Sequence, residues 1–305
     1  MFSEDLKRRL RNMHTFAVTP FKADNLLEVD LSALTANLEF LITRGVQVIG
    51  VVGGTGEIET LTEDELEAVV GTSVEVARGR ALTIAAVPGN IASATNLARR
   101  YESLGVEILL GMPPLLRVKI PTDLEGVYDY YRVLAEATPL PLMPYNTQGW
   151  PPEFFERLAE IDRIIGVKDP CQVPHNFFKA IQRLGDRFVW VGNKQHDPGV
   201  LQYRYQAGME GFTSGLSNLI PEFELEMHKA GTAEDWPRLV ELQATLAPAE
   251  QLRMAHDDAA MVKAGMDLVG LHGGRVRPPR RDVPAEGREA IRALLNGLGV
   301  PTVAS

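Results

Sequence analysis

A single lysine, Lys168, closes the apolar β-branched run Ile164-Ile165-Gly166-Val167, and Asp169-Pro170 follows it directly. A short run of this kind reads as a buried strand, and Asp-Pro stops it. Strand ends in α/β proteins are where ligands and chemistry collect. An amine placed there loses hydration, which disfavours its charged form, and a neutral amine can attack a ketone to form a Schiff base. The plainer reading is a lysine that extends from the strand end and pairs with Asp169, because structural ion pairs also perturb lysines. On these seven residues alone the plainer reading is the commoner one. The rest of the chain reverses that order.

Two other stretches supply what an imine reaction needs. Tyr145-Asn146 follows the apolar run 140–143 and offers a phenol for proton transfer. Gly53-Gly54-Thr55-Gly56-Glu57 follows the run 46–52, and its backbone N–H groups can hold a carboxylate. Each also has a plain reading, as a half-buried tyrosine bonded to the backbone or as a turn hydroxyl. As a phosphate loop the glycine stretch lacks the following lysine and its spacing. Lys168, Tyr145 and Thr55 are the candidate catalytic residues. Gly54, Thr55, Gly56, Asn146, Lys194, Thr213 and Ser214 are the candidate substrate-binding residues. Lys194 follows the run 188–191 and is expected to face the site and hold a distal substrate carboxylate. The competing reading for it is a solvent-facing loop lysine. Asn193, His196 and Asp197 lack tight ligand spacing, so no metal is expected, and the imine chemistry calls for no cofactor.

These stretches must be brought together by the elements that carry them. Strand-like and helical patterns alternate eight times, with a repeat of about 30 residues, as βαβ units do. The strands are continuous apolar runs without alternation, the mark of a parallel sheet buried on both faces. The expected fold is α/β, a (β/α)8 TIM barrel over residues 1–220 with a C-terminal helical extension over residues 221–305 packed on it. An open doubly wound sheet shares the local pattern, but no dinucleotide fingerprint follows the first strand. The first strand is expected at 14–21. Asp30 caps the next helix and Thr62 with Glu65 forms a capping box.

Composition narrows the function. The net charge of −9 argues against nonspecific nucleic-acid binding, which needs a basic footprint. Cys171 is the only cysteine, so no intramolecular disulfide and no thiolate cluster are expected, which fits a reducing compartment. The first 13 residues are too charged for a signal peptide, and no apolar run approaches the roughly 20 residues of a membrane span. The expected location is the cytoplasm.

With these motifs in this order, the chain resembles the dihydrodipicolinate synthase and N-acetylneuraminate lyase superfamily of class I aldolases. The resemblance runs from Val18-Thr19-Pro20-Phe21 to Arg277-Pro278-Pro279. Its marks are Gly53 to Glu57 with Leu61-Thr62, Tyr145-Asn146, Gly166-Val167-Lys168-Asp169, and Gly211 to Ser214 with Asn218 and Pro221. It implies a homo-oligomer, a dimer or a tetramer built as a dimer of dimers. It implies Lys168 as the Schiff-base lysine and Tyr145 as the proton-transfer residue. Thr55 and its neighbouring amides would hold the carboxylate of a pyruvate-like 2-oxo acid.

The departures from the family pattern are as informative. Gly54 stands where the family's first threonine is usual, and that hydroxyl belongs to a proton relay. The relay's other member is a tyrosine after the fourth strand, donated across the dimer interface. Here that segment reads Pro113-Pro114-Leu115-Leu116. The arginine that follows Tyr-Asn in dihydrodipicolinate synthases is replaced by Thr147-Gln148-Gly149-Trp150. The missing relay and the missing arginine both argue against dihydrodipicolinate synthesis. The Gly-Gly-Thr-Gly-Glu stretch is instead similar to that of 5-dehydro-4-deoxyglucarate dehydratases, which form the same imine, eliminate water and lose carbon dioxide. The expected function is a Schiff-base-forming lyase acting on a 2-oxo acid, by aldol cleavage, aldol addition or dehydration of a keto-deoxy sugar acid. The rivals are a barrel that has lost catalysis and serves as a 2-oxo acid-binding or regulatory protein, and an open sheet holding a phosphorylated ligand at the Gly53 turn.

Overall fold

Eight short strands follow one another at the centre of the chain: β1 (Met13–Phe16), β2 (Val48–Val51), β3 (Leu82–Val87), β4 (Ile108–Gly111), β5 (Leu142–Pro144), β6 (Gly166–Lys168), β7 (Val189–Asn193) and β8 (Gly211–Ser214). The computed structural model describes residues 3–115, 123–170, 173–194 and 197–303. Among these residues one helix precedes the strands, α1 (Glu4–Leu10). Seven alternate with them: α2 (Leu31–Thr43), α3 (Glu63–Ala77), α4 (Ile91–Leu104), α5 (Leu124–Ala137), α6 (Pro152–Leu158), α7 (Pro174–Leu184) and α8 (Val200–Gln206). Four more follow β8: α9 (Pro221–Thr232), α10 (Trp236–Ala255), α11 (Asp258–Leu268) and α12 (Ala285–Gly297).

All strand pairs are parallel, in the order β5-β4-β3-β2-β1-β8-β7-β6. The two ends of that order meet. Parallel bridges join Leu142 to Ile164 and Tyr145 to Lys168. Across this seam Ile165 N–H donates to the Leu142 carbonyl at 3.0 Å, and Asn146 N–H to the Lys168 carbonyl at 2.8 Å. The sheet is therefore a (β/α)8 TIM barrel, and the open doubly wound alternative falls. Nearly every strand residue is buried, as the unbroken apolar runs require. Only Lys168, Asn193 and Thr213 are half-exposed, and all three line the same cavity.

One local expectation needs correction. The first strand ends at Phe16. Residues 17–21 peel away, with Thr19 Oγ1 donating to the Gly56 carbonyl at 2.8 Å and Phe21 pairing antiparallel with Val29. The charged N-terminal stretch folds as α1, capped by Ser3. Its Leu10 is fully buried, and the Leu10 carbonyl accepts from His14 Nε2 at 2.7 Å. Gly166 makes room for this packing: a Cβ there would stand 3.1 Å from Leu10. Thus α1 covers the end of the barrel where β6 begins. The capping box of Thr62 and Glu65 is present as expected. No helix among the described residues is long and apolar enough to cross a membrane.

If α1 is part of the core, truncating its buried residue should open a cavity. Leu10→Ala is expected to lower stability to urea by about 2–5 kcal/mol, the usual range for a buried leucine. An unchanged unfolding midpoint would show that α1 does not pack the barrel.

Candidate active site

The Lys168 amine leaves the end of β6 and lies between two aromatic rings. Its Nζ is 3.8 Å from the centre of the Phe16 ring and 4.2 Å from that of Tyr145. It does not sit on Asp169, whose Oδ2 accepts from Asn146 Nδ2 at 2.6 Å. Phe16 comes from β1 and occupies space that glycines leave open. A Cβ at Gly50 or Gly53 would stand 2.5 Å or 2.9 Å from its ring. The first glycine of the Gly53-to-Glu57 turn therefore admits a wall of the amine pocket. Burial pulls the Lys168 pKa down to about 7, and the negative charge of Asp258 opposes it. Near neutral pH much of the amine is uncharged and nucleophilic.

Tyr145 is the bridge partner of Lys168 across the seam, so its phenol is carried by the neighbouring strand end. Burial raises its pKa, and the charges of Asp258 and Asp169 add to the effect. The phenol is held protonated and can lend and retrieve that proton. The cavity in front of both groups measures about 140 Å3 and is also lined by Gly54, Thr55, Thr213 and Ser214. This is well below the roughly 300–1,000 Å3 of sites for drug-sized ligands, so it suits a small acid.

Three expected binding residues sit differently. Gly56 is buried behind the turn, against the Val52 backbone and the Ala17 carbonyl, and does not line the cavity. Asn146 is buried and fully engaged: it holds Asp169, and its Oδ1 accepts from Gln148 N–H at 2.9 Å. It shapes the turn after β5 and does not face the cavity. Lys194 reaches the cavity wall, but its ammonium is buried between Glu224 and Glu250, the latter at 2.7 Å. Burial works against that charge, yet the two carboxylates outweigh it and hold the pKa above its ordinary value. Lys194 is neither a solvent-facing loop residue nor a free cation. Trp150, in the stretch that replaces the family arginine, packs among Tyr131, Phe154 and Phe155. Leu115 is exposed, while Leu116 and His196 lie outside the described residues. Among the described residues no His, Cys, Asp and Glu group is arranged to hold a metal ion.

The C-terminal extension completes the site, and strand-end reasoning misses its part. Glu250 and Arg253 from α10 and Asp258 from α11 line the cavity. The only sequence signal was the cluster of charges at the junction of two helical patterns. The extension also fixes the turn after β2. Glu57 is fully buried with a left-handed φ of 60°. It accepts from Lys263 Nζ at 2.5 Å and from Arg277 N–H at 3.0 Å. The last residue of the glycine turn thus anchors it to α11 and the 270–279 segment.

Comparison with known proteins adds to this geometry. The model of the dihydrodipicolinate synthetase family matches residues 9–298. Over 287 residues the chain is 29% identical to a probable 5-dehydro-4-deoxyglucarate dehydratase of Oceanobacillus iheyensis, covering 92% of each. Over 293 residues it is 30% identical to a 4-hydroxy-tetrahydrodipicolinate synthase of Gluconacetobacter diazotrophicus, covering 94% of this chain and 96% of the relative. Among solved structures, a dihydrodipicolinate synthase from Oceanobacillus iheyensis aligns with a TM-score of 0.89 at 24% identity, covering 97% of this chain and 98% of its own. That likeness speaks for the fold alone.

The amine pocket makes a pH prediction. The rate of imine formation with pyruvate should rise with pH and level off, with a midpoint near the lowered pKa of about 7. A midpoint close to the ordinary lysine value of 10.5 would show that the pocket does not neutralise the amine.

Proposed function

We propose that this chain, which belongs to the dihydrodipicolinate synthetase family, is a lyase whose Lys168 condenses with the C2 carbonyl of a 2-oxo acid. The observation that carries the reading is the amine enclosed between Phe16 and Tyr145, facing the turn at Gly54 and Thr55. The neutral amine adds to C2. Tyr145 gives a proton to the departing hydroxyl, which leaves as water, and an iminium remains. The turn amides and the Thr55 hydroxyl hold the C1 carboxylate.

The iminium is an electron sink. Loss of a C3 proton gives an enamine, which expels a C4 hydroxyl as water. If the C4 hydroxyl is deprotonated instead, the C3–C4 bond breaks. We favour dehydration of a keto-deoxy sugar acid. Its support is the Gly54 form of the turn together with the relatives named as probable dehydratases. Dihydrodipicolinate synthesis is disfavoured, because Gly54 removes the relay hydroxyl and residues 147–150 supply no cation. The family likeness also supports a homo-oligomer acting in the cytoplasm.

The test is borohydride reduction in the presence of pyruvate. One reduced pyruvate adduct is expected on the wild-type chain and none on Lys168→Ala. Tyr145→Phe is expected to lower kcat by about 10²–10⁴, the usual worth of a general acid–base group. No adduct with any 2-oxo acid would instead favour a binding protein that has lost catalysis.

A further inference from the structure

A 2-oxo acid held at Lys168 and at the Thr55 turn must place its far end elsewhere in the cavity. Of the cations that line the cavity, Lys194 is sealed between Glu224 and Glu250. Arg253 is different. Its side chain is 29% exposed and it lines the cavity. Nε donates to Glu250 Oε2 at 2.7 Å, and Nη1 to Asp258 Oδ1 at 2.5 Å. A guanidinium has five N–H donors in a planar fork. The two bonds leave three donors, including both on Nη2, without a protein partner among the described residues.

The anchoring is ordered from the protein side. Lys194 fixes Glu250, and Glu250 fixes the plane of the guanidinium through Nε. Burial disfavours the Glu250 charge, but Lys194 and Arg253 outweigh it and lower its pKa. Asp258 is the less buried partner of Arg253, with a side chain 42% exposed. It lines the same cavity as Lys168 and Tyr145.

The geometry points to Arg253 as the residue that binds the terminal carboxylate of a dicarboxylic 2-oxo acid, with that carboxylate taking over the Nη edge from Asp258. A planar fork held through Nε is suited to a two-point bond with a carboxylate. The role first expected of Lys194 passes to Arg253, and Lys194 positions it through Glu250. This inference rests on the imine reading above. It adds that a residue of the C-terminal extension reads the distal acid group of the substrate.

The test compares two acids of equal chain length, 2-oxoadipate and 2-oxohexanoate, which differ in the terminal carboxylate. The readout is the concentration giving half-maximal reductive trapping. Wild type is expected to trap 2-oxoadipate at the lower concentration. In Arg253→Gln that concentration should rise about 10- to 100-fold, the worth of hydrogen bonds between charged groups, while the value for 2-oxohexanoate changes little. Arg253→Lys should recover part of the preference. A parallel rise for both acids would mean that Arg253 only braces the junction of α10 and α11, and would overturn the inference. Asp258→Asn gives a check that keeps the guanidinium. It should widen the preference for 2-oxoadipate, and an unchanged or narrowed preference counts against the proposal. If wild type traps both acids with no preference, this inference alone fails. If it traps neither, the imine reading fails and takes the inference with it.

Discussion

The barrel closes between β5 and β6, and the site depends on that seam. The bridge between Tyr145 and Lys168 sets a phenol and an amine on adjacent strand ends. Adjacent strands are about 4.8 Å apart, which is the right scale for a proton to pass between side chains on the same face. Side chains alternate along a strand, so a slip of one residue would turn the lysine out of the barrel. The backbone bonds of Asn146 and Ile165 across the seam fix that register. Closure is thus both the last step of the architecture and the step that assembles the chemistry.

Around the seam, burial is used in two opposite ways. At Lys168 the neighbours are aromatic rings and, among the described residues, no carboxylate pairs with the amine, so burial lowers the pKa. At Lys194 two carboxylates outweigh burial and raise the pKa, whereas at Lys263 Glu57 pairs with the amine and burial still lowers its pKa. Buried pairs of this kind add little net stability, because desolvating both ions costs about as much as their attraction returns. Their effect is positional. Lys263 and Arg277 hold Glu57 and so the turn that carries Gly54 and Thr55, and Lys194 holds Glu250 beneath Arg253. Removing one partner would leave a buried charge alone, which is the costly state.

Much of this was legible in the sequence. Lys168, Tyr145 and Thr55 each follow an apolar run, and eight such runs imply a ring whose ends converge. The capping box at Thr62 and Glu65 is local, so four residues suffice to read it. What stayed hidden depends on distant partners. Lys194 sits where expected along the chain, but its ammonium is claimed by Glu224, 30 residues on. Asn146 looked like a ligand and proves to be a brace, because Asp169 comes to it across the seam. Arg253 and Asp258 lie beyond the last strand, and their cluster of charges does not by itself say that α10 and α11 return to the barrel mouth. The α1 helix is short and charged, and the full burial of Leu10 against Gly166 in the fold shows it to be core.

The most direct measurement is a crystal structure of the wild-type chain reduced by borohydride in the presence of pyruvate. The account predicts C2 bonded to Lys168 Nζ, the carboxylate on the turn at Gly54 and Thr55, and the Tyr145 hydroxyl within hydrogen-bond reach of C2 or its substituents. An adduct on Lys194 or Lys263, or a carboxylate bound away from that turn, would contradict it.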